Sequence, residues 1–289
     1  MKRGTKIGWL LIALSVILSV WVIVSQSSDA SQTTESGLVL SDDGTVLEQY
    51  TGSGGTVTIP DGVTTISAGV FKEKDVTQVI MPSSVTSMGT GVFSGCSSLA
   101  SVSLSTSLNS IPEDSFRECL SLGSVTIPDS ATTIASNAFY GCASLSSVSI
   151  PASVSNISTD AFSGCGNLSD ISVASGNGAY ASSDGCLYNA SKTRLLLVPE
   201  GKTSLAIAAG TTTIGAGALQ NCTGISSVSL PNGVTTIEAN AFSDSSVETI
   251  TIPATVTSIA SQGSWKPSTI YGASGSAAEQ YAKNNGIVF

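Results

Sequence analysis

Six cysteines, at positions 96, 119, 142, 165, 186 and 222, are the residues of this sequence best equipped for covalent or metal chemistry. Paired, they would form disulfides; gathered in fours, their thiolates would hold zinc. Four of them recur every 23 residues, and Cys222 falls into the same register after one longer gap. A fold that stacks such repeats would set these sulfurs in a line about 4.8 Å apart, within reach of a disulfide but far from zinc's tetrahedron. Bridges would disturb a regular stack, so the five are read as reduced core thiols acting as small apolar side chains, with disulfide pairing as the alternative. Cys186 lies outside the register and is expected to be the exposed or reactive thiol. No metal or other cofactor is expected.

Other chemistry is thinly represented. There is no histidine, which removes the usual proton-transfer group near neutral pH and the commonest metal ligand. Asp42-Asp43 and Glu113-Asp114 are adjacent acids of the kind found on solvated turns, without the facing partner a glycosidase needs. No G-x-S-x-G, P-loop or dinucleotide fingerprint occurs, and the sequons at Asn156, Asn167, Asn189 and Asn221 are expected by chance in so serine-rich a chain. No catalytic residue is assigned. Setting aside Lys2, Arg3 and Lys6, eight basic residues face 20 acidic ones, and such a body would be repelled by a phosphate backbone. Nucleic-acid binding is excluded.

What would position these side chains is a repeat. Residues 127–151, IPDSATTIASNAFYGCASLSSVSIP, recur in imperfect copies aligned on Pro60, Pro82, Ser105, Pro128, Pro151, Ala174, Ala208, Pro231 and Pro253. Six positions on stand Ile66, Met88, Ile111, Ile134, Ile157, Ile214, Ile237 and Ile259; eleven on stand Phe71, Phe93, Phe116, Phe139, Phe162, Leu219 and Phe242. The cysteine column follows, and then an L-x-x-V-x-I run such as Leu145/Val148/Ile150. One coil of 23 residues cannot bury these positions alone, whereas stacked coils make a continuous core, so the spacing predicts a solenoid of about nine coils. The V-x-I alternation predicts a short strand pairing in parallel with its counterpart, and the V-x-x-I after the proline a second bend or strand. The A-F segment, with Gly95, Gly141 and Gly164, predicts a short helical turn.

The L-x-x-V-x-I-P, V-T-x-I and A-F-x-G-C elements together resemble the leucine-rich repeats of the BspA-like bacterial surface protein family, over residues 37–289. That resemblance implies a curved leucine-rich-repeat solenoid on a secreted or surface-attached protein, and a role in adhesion to proteins or other cells. Residues 37–55 read as an opening hairpin that covers the first coil. Ser276-x-x-Glu279 is a capping box and Gly286 a helix stop, so residues 268–289 read as a helical cap.

Between Ala174 and Ala208 the spacing grows to 34, and residues 175–203 carry turn signals at Asp184-Gly185 and around Asn189 to Thr193. A β-hairpin is expected there. Two readings remain open for Tyr180, Tyr188, Lys192 and Arg194: a partner-contact patch of aromatic and cationic groups on an acidic, hydroxyl-rich body, or strand residues whose tyrosines pack inward. Residues 1–6 form a basic flank, the run from Ile7 to Val24 is uncharged, and residues 25–36 are a polar linker. Eighteen helical residues span about 27 Å, close to a bilayer's hydrocarbon core. A transmembrane signal anchor is expected, with a signal peptide cleaved before Ser31 as the alternative; both place the following residues outside. The chain therefore reads as a non-catalytic, adhesin-like surface protein for an extracellular protein or glycan. The alternatives are a structural spacer without a ligand and a secreted carbohydrate-active or peptidase protein.

Overall fold

The computed structural model describes residues 32–34 and 36–289; the expected membrane segment lies outside them. Among the described residues, no helix is long and apolar enough to cross a membrane.

Short parallel strands form two interrupted ladders. In one, Gly55–Thr58, Val76–Ile80 and Ser101–Ser103 pair in sequence, as do Ser147–Ile150 with Asp170–Val173 and then Ser227–Ser229, Thr249–Thr251 and Thr269–Tyr271. Alternation places Val57, Val79, Val148, Ile171, Val228 and Ile250 in the core and the intervening hydroxyls outside. The other ladder follows each proline and has two-residue rungs such as Thr65–Ile66, Thr133–Ile134 and Thr236–Ile237. Its exposed threonines reinforce the pairing, for Thr86, Thr132 and Thr235 each donate a hydroxyl to the preceding coil's backbone carbonyl. Threonine recurs here because it is both β-branched and a donor.

The coil has about ten turns, one more than the proline alignment predicts. Val46–Tyr50 supplies the extra turn: it pairs antiparallel with Leu38–Leu40, yet Leu47 also lies in parallel register with Ile66. At the far end Ala277–Asn285 forms a helix; Ser276 Oγ accepts from the Glu279 amide, and Gly286 adopts φ 62 to close it. The Glu279 carboxylate takes the Gly275 amide at 2.6 Å rather than that of Ser276, so the capping box is shifted by one residue.

The A-F segment forms consecutive β-turns instead of a helical turn. The amides of Phe71, Phe93, Phe116 and Phe139 donate to carbonyls of the following coil, so they are not available for intrasegment helical bonds. Their rings stack 5.2 to 5.4 Å apart and within 12° of parallel, continuing to Phe162. The carbonyls of Phe71, Phe93, Phe116 and Phe139 each accept twice. That of Phe93 takes the Cys96 amide at 3.0 Å and the Cys119 thiol at 3.1 Å, a pattern repeated along Cys96, Cys142 and Cys165. Cysteine recurs in the column because it packs like an apolar side chain while offering a weak donor to a buried carbonyl.

All six cysteines are free and buried. Cys186 corrects the sequence reading, because it is 0% exposed, facing the core from a strand of the insertion. Burial pushes Cys96 up to about 11 and Cys165, Cys186 and Cys222 up to about 12, so none is poised to be a nucleophile.

The apolar interior divides into two clusters, one from Leu38 to Ile171 and one from Leu195 to Ile287. The strand Cys186–Asn189 separates them. Leu187 joins the first cluster, while Cys186 and Tyr188 join the second, as the two-residue period of a strand requires.

A candidate binding notch at the interrupted coil

The insertion consists of three strands. Tyr180–Ser183 pairs antiparallel with Cys186–Asn189, which pairs antiparallel with Arg194–Leu197, and the last rejoins the coil by parallel pairing with Thr213–Ile214. Gly201 seats it, donating its amide to Leu168 O at 2.8 Å; a Cβ there would meet Leu168 O at 2.7 Å.

The four candidate contact residues do not assemble into a patch. Tyr188 is 0% exposed, and its hydroxyl accepts the Ala208 amide at 3.2 Å. Tyr180 is half-buried and its hydroxyl takes the Ile157 amide at 2.8 Å, ending the ladder of the first stack. Arg194 is paired with Glu238 two coils away, and the same carboxylate accepts the Ala216 amide. Lys192 sits in the hairpin turn with φ 55 and has no side-chain partner among the described residues. The tyrosines are thus packing residues and Arg194 is a clamp, because a strand inserted into a solenoid has a core on both faces.

The insertion has a second consequence at the turn corner. Val198 occupies the place of a column phenylalanine: its amide donates to Ala218 O and its carbonyl accepts the Cys222 thiol. Valine is too small to continue the ring stack, and the chain reaches it from a hairpin rather than from a regular coil. The Phe162 amide consequently has no acceptor among the described residues, although every earlier phenylalanine of the column has one. A notch of about 270 Å³ opens between Phe162 and the residues from Leu196 to Glu200.

Glu200 partly replaces the lost backbone. In preceding coils Gly95 and Gly141 donate their amides to a carbonyl of the next coil, whereas the Gly164 amide donates to Glu200 Oε1 at 2.9 Å. Gly164 has φ 76, a conformation suited to glycine. Asn221 Nδ2 reaches the same oxygen at 3.4 Å, leaving Oε2 without a partner among the described residues. Burial pushes the Glu200 carboxyl up from its ordinary value, partly offset by these two bonds. Across the notch, burial also works against the Asp160 carboxylate, but hydroxyls of Ser158 and Ser136 at 2.7 Å each hold it below the ordinary value.

The notch walls contain Gln220, Asn221 and Asn240 and no lysine or arginine, over a floor of Phe162, Leu168 and Leu197. Neither Asp160 nor Glu200 stands out in the sequence. The available signal was the missing phenylalanine between Phe162 and Leu219, with Pro199-Glu200 near its place.

With two strand ladders, a stacked aromatic column and a turn corner in each coil, the molecule is a leucine-rich-repeat solenoid. The model of the BspA-type leucine-rich repeat region matches residues 64–193 and 200–263, and the chain belongs to that family. A leucine-rich repeat protein from Eubacterium ventriosum is similar in structure, with a TM-score of 0.62 and 26% identity over 85% of this chain and 70% of that one. The pneumococcal vaccine antigen PcpA (TM-score 0.52, 19% identity, 83% of this chain and 62% of that one) shares the fold. So does a leucine-rich repeat protein from Bacteroides ovatus (TM-score 0.51, 19% identity, 88% and 79%). No curated protein matches the chain.

Proposed function

We propose that this chain is a non-catalytic, adhesin-like surface protein that binds an extracellular protein or glycan, held at the membrane by the segment from Ile7 to Val24. The observation that supports a binding role is the notch. A pure spacer needs only identical coils, yet one coil here gives up its aromatic, its cysteine and a backbone acceptor to form a cleft lined by carboxylates and amides. Clefts of this composition, with a few converging polar groups over an apolar floor, are the usual form of a recognition site. Membership in a family that includes bacterial repeat proteins, and a shared fold with a vaccine antigen, agree with an exterior location. Lys192, which has no side-chain partner among the described residues, adds a second contact in the hairpin turn of the insertion.

The full chain in detergent micelles, applied to an array of matrix proteins and glycans, tests this reading. Saturable binding to a defined subset is expected. No saturable binding anywhere on the array would leave the spacer reading in its place.

A further inference from the structure

We propose that the notch receives the basic side chain, arginine or lysine, of an extended segment of a partner protein. The inference rests on the binding role above and names the chemistry of the ligand. Two carboxylates line the notch from opposite coils, and one oxygen of Glu200 has no partner among the described residues. No basic residue lines it, and the nearby Arg194 is already neutralised by Glu238. The cleft is thus an acceptor-rich site without a counter-charge.

Its shape suits an amphipathic side chain. Leu196, Val198 and Pro199 flank the Leu197 floor and give an apolar surface against which the methylene stem of lysine or arginine would lie, while the charged head meets Glu200, Asp160 and the amide oxygens of the opposite rim. A volume of about 270 Å³ falls below the roughly 300–1,000 Å³ of drug-sized sites and fits one inserted side chain. The orphaned Phe162 amide lies at the same edge, where it can donate to a backbone carbonyl of the incoming segment. That pairing restores the bond which every earlier phenylalanine of the column makes to its next coil. Sugar rings favour an exposed aromatic platform, whereas Phe162 is buried against Phe139. Among the described residues no group of three acids, thiols or histidines is placed to hold a metal ion.

The test uses the full chain in detergent micelles and blocked glycine pentapeptides carrying a central arginine, lysine or citrulline, titrated by calorimetry and by nuclear magnetic resonance. The arginine and lysine peptides are expected to bind, and the neutral citrulline peptide to bind at least about tenfold more weakly. Glu200→Gln keeps the Oε1 acceptor for Gly164 and should fold, yet weaken the arginine peptide about tenfold. Gln220→Lys, at an exposed rim position, supplies an ammonium from the chain itself and should block the peptide. The proposal is overturned if citrulline binds as well as arginine, if either variant binds the arginine peptide unchanged, if no peptide binds, or if chitin oligomers titrated in the same way occupy the notch instead. An array ligand bound equally by the parent and by Gln220→Lys would sink the notch proposal while leaving the binding role standing. An array without any ligand would sink the binding role, whatever the peptides do.

Discussion

The stack before the insertion and the stack after it follow the same rules with different strictness. From Tyr50 to Phe162 every coil contributes a ring, the phenylalanine spacing varies by only 0.2 Å, and each phenylalanine amide before Phe162 finds the next coil. Beyond the insertion the column reads Val198, Leu219, Phe242 and Trp265, and only the last two are stacked rings, 4.7 Å apart. The second stack keeps backbone bonds at Val198 and Leu219, whose amides donate to Ala218 O and Ala241 O, and borrows a side chain at Phe242, whose amide donates to Gln262 Oε1. Backbone ladders therefore tolerate loss of the aromatic column, provided some oxygen stands where the next carbonyl would be. The notch is the place where that replacement is incomplete.

The largest effect expected from this contrast lies in the rings. Phe139→Ala, with a ring on each side, should cost about 5 kcal/mol, and Phe162→Ala, with a ring on one side and the notch on the other, about 3 kcal/mol, measured by denaturant unfolding. Equal losses would mean that the notch is filled or closed in solution. Next comes the partition between the cores. Tyr188→Ala should cost about 3–5 kcal/mol and separate the melting of the two stacks in calorimetry, while Tyr188→Phe loses only the acceptor of the Ala208 amide, about 1 kcal/mol. A single unchanged transition in Tyr188→Ala would show that the strand does not couple the cores.

The smallest effect is electrostatic, and it has opposite signs in two glutamates beside the break. The hydrogen bond from Arg194 lowers the Glu238 carboxyl, so its contribution is complete above the unfolded value near 4.5 and is lost as pH falls through the folded value. The pair is partly exposed, so Glu238→Gln should cost no more than about 1 kcal/mol at neutral pH and nothing in strong acid. Burial raises Glu200, whose folded form binds its proton more tightly and so loses stability as pH rises from about 4.5. Glu200→Gln should match the parent in acid and exceed it at neutral pH. Chemical denaturation at a series of pH values reads both slopes, and parallel slopes would break the contrast.

The register of Phe71 to Phe162, of the cysteines and of the isoleucines was legible in the sequence because each column must meet its own kind one coil away. A period is visible in one dimension, and in a solenoid the period is the fold. The extra turn at Val46–Tyr50 was hidden because its strand is one arm of an antiparallel hairpin and only its other edge pairs in parallel with the coil. Cys186 misled for a related reason: leaving the register suggested exposure, but a strand wedged between two stacks has an interior on both sides, and the same strand buries Tyr188, for which inward packing was one of the two open readings. The repeating coil, the identity of its columns and the position of the break thus follow from the order of the residues. What the break does emerges in three dimensions, because an unpaired Phe162 amide, a carboxylate standing in for a carbonyl and the cleft between them arise from what is missing across the stack. An absence of that kind has no letter in the sequence.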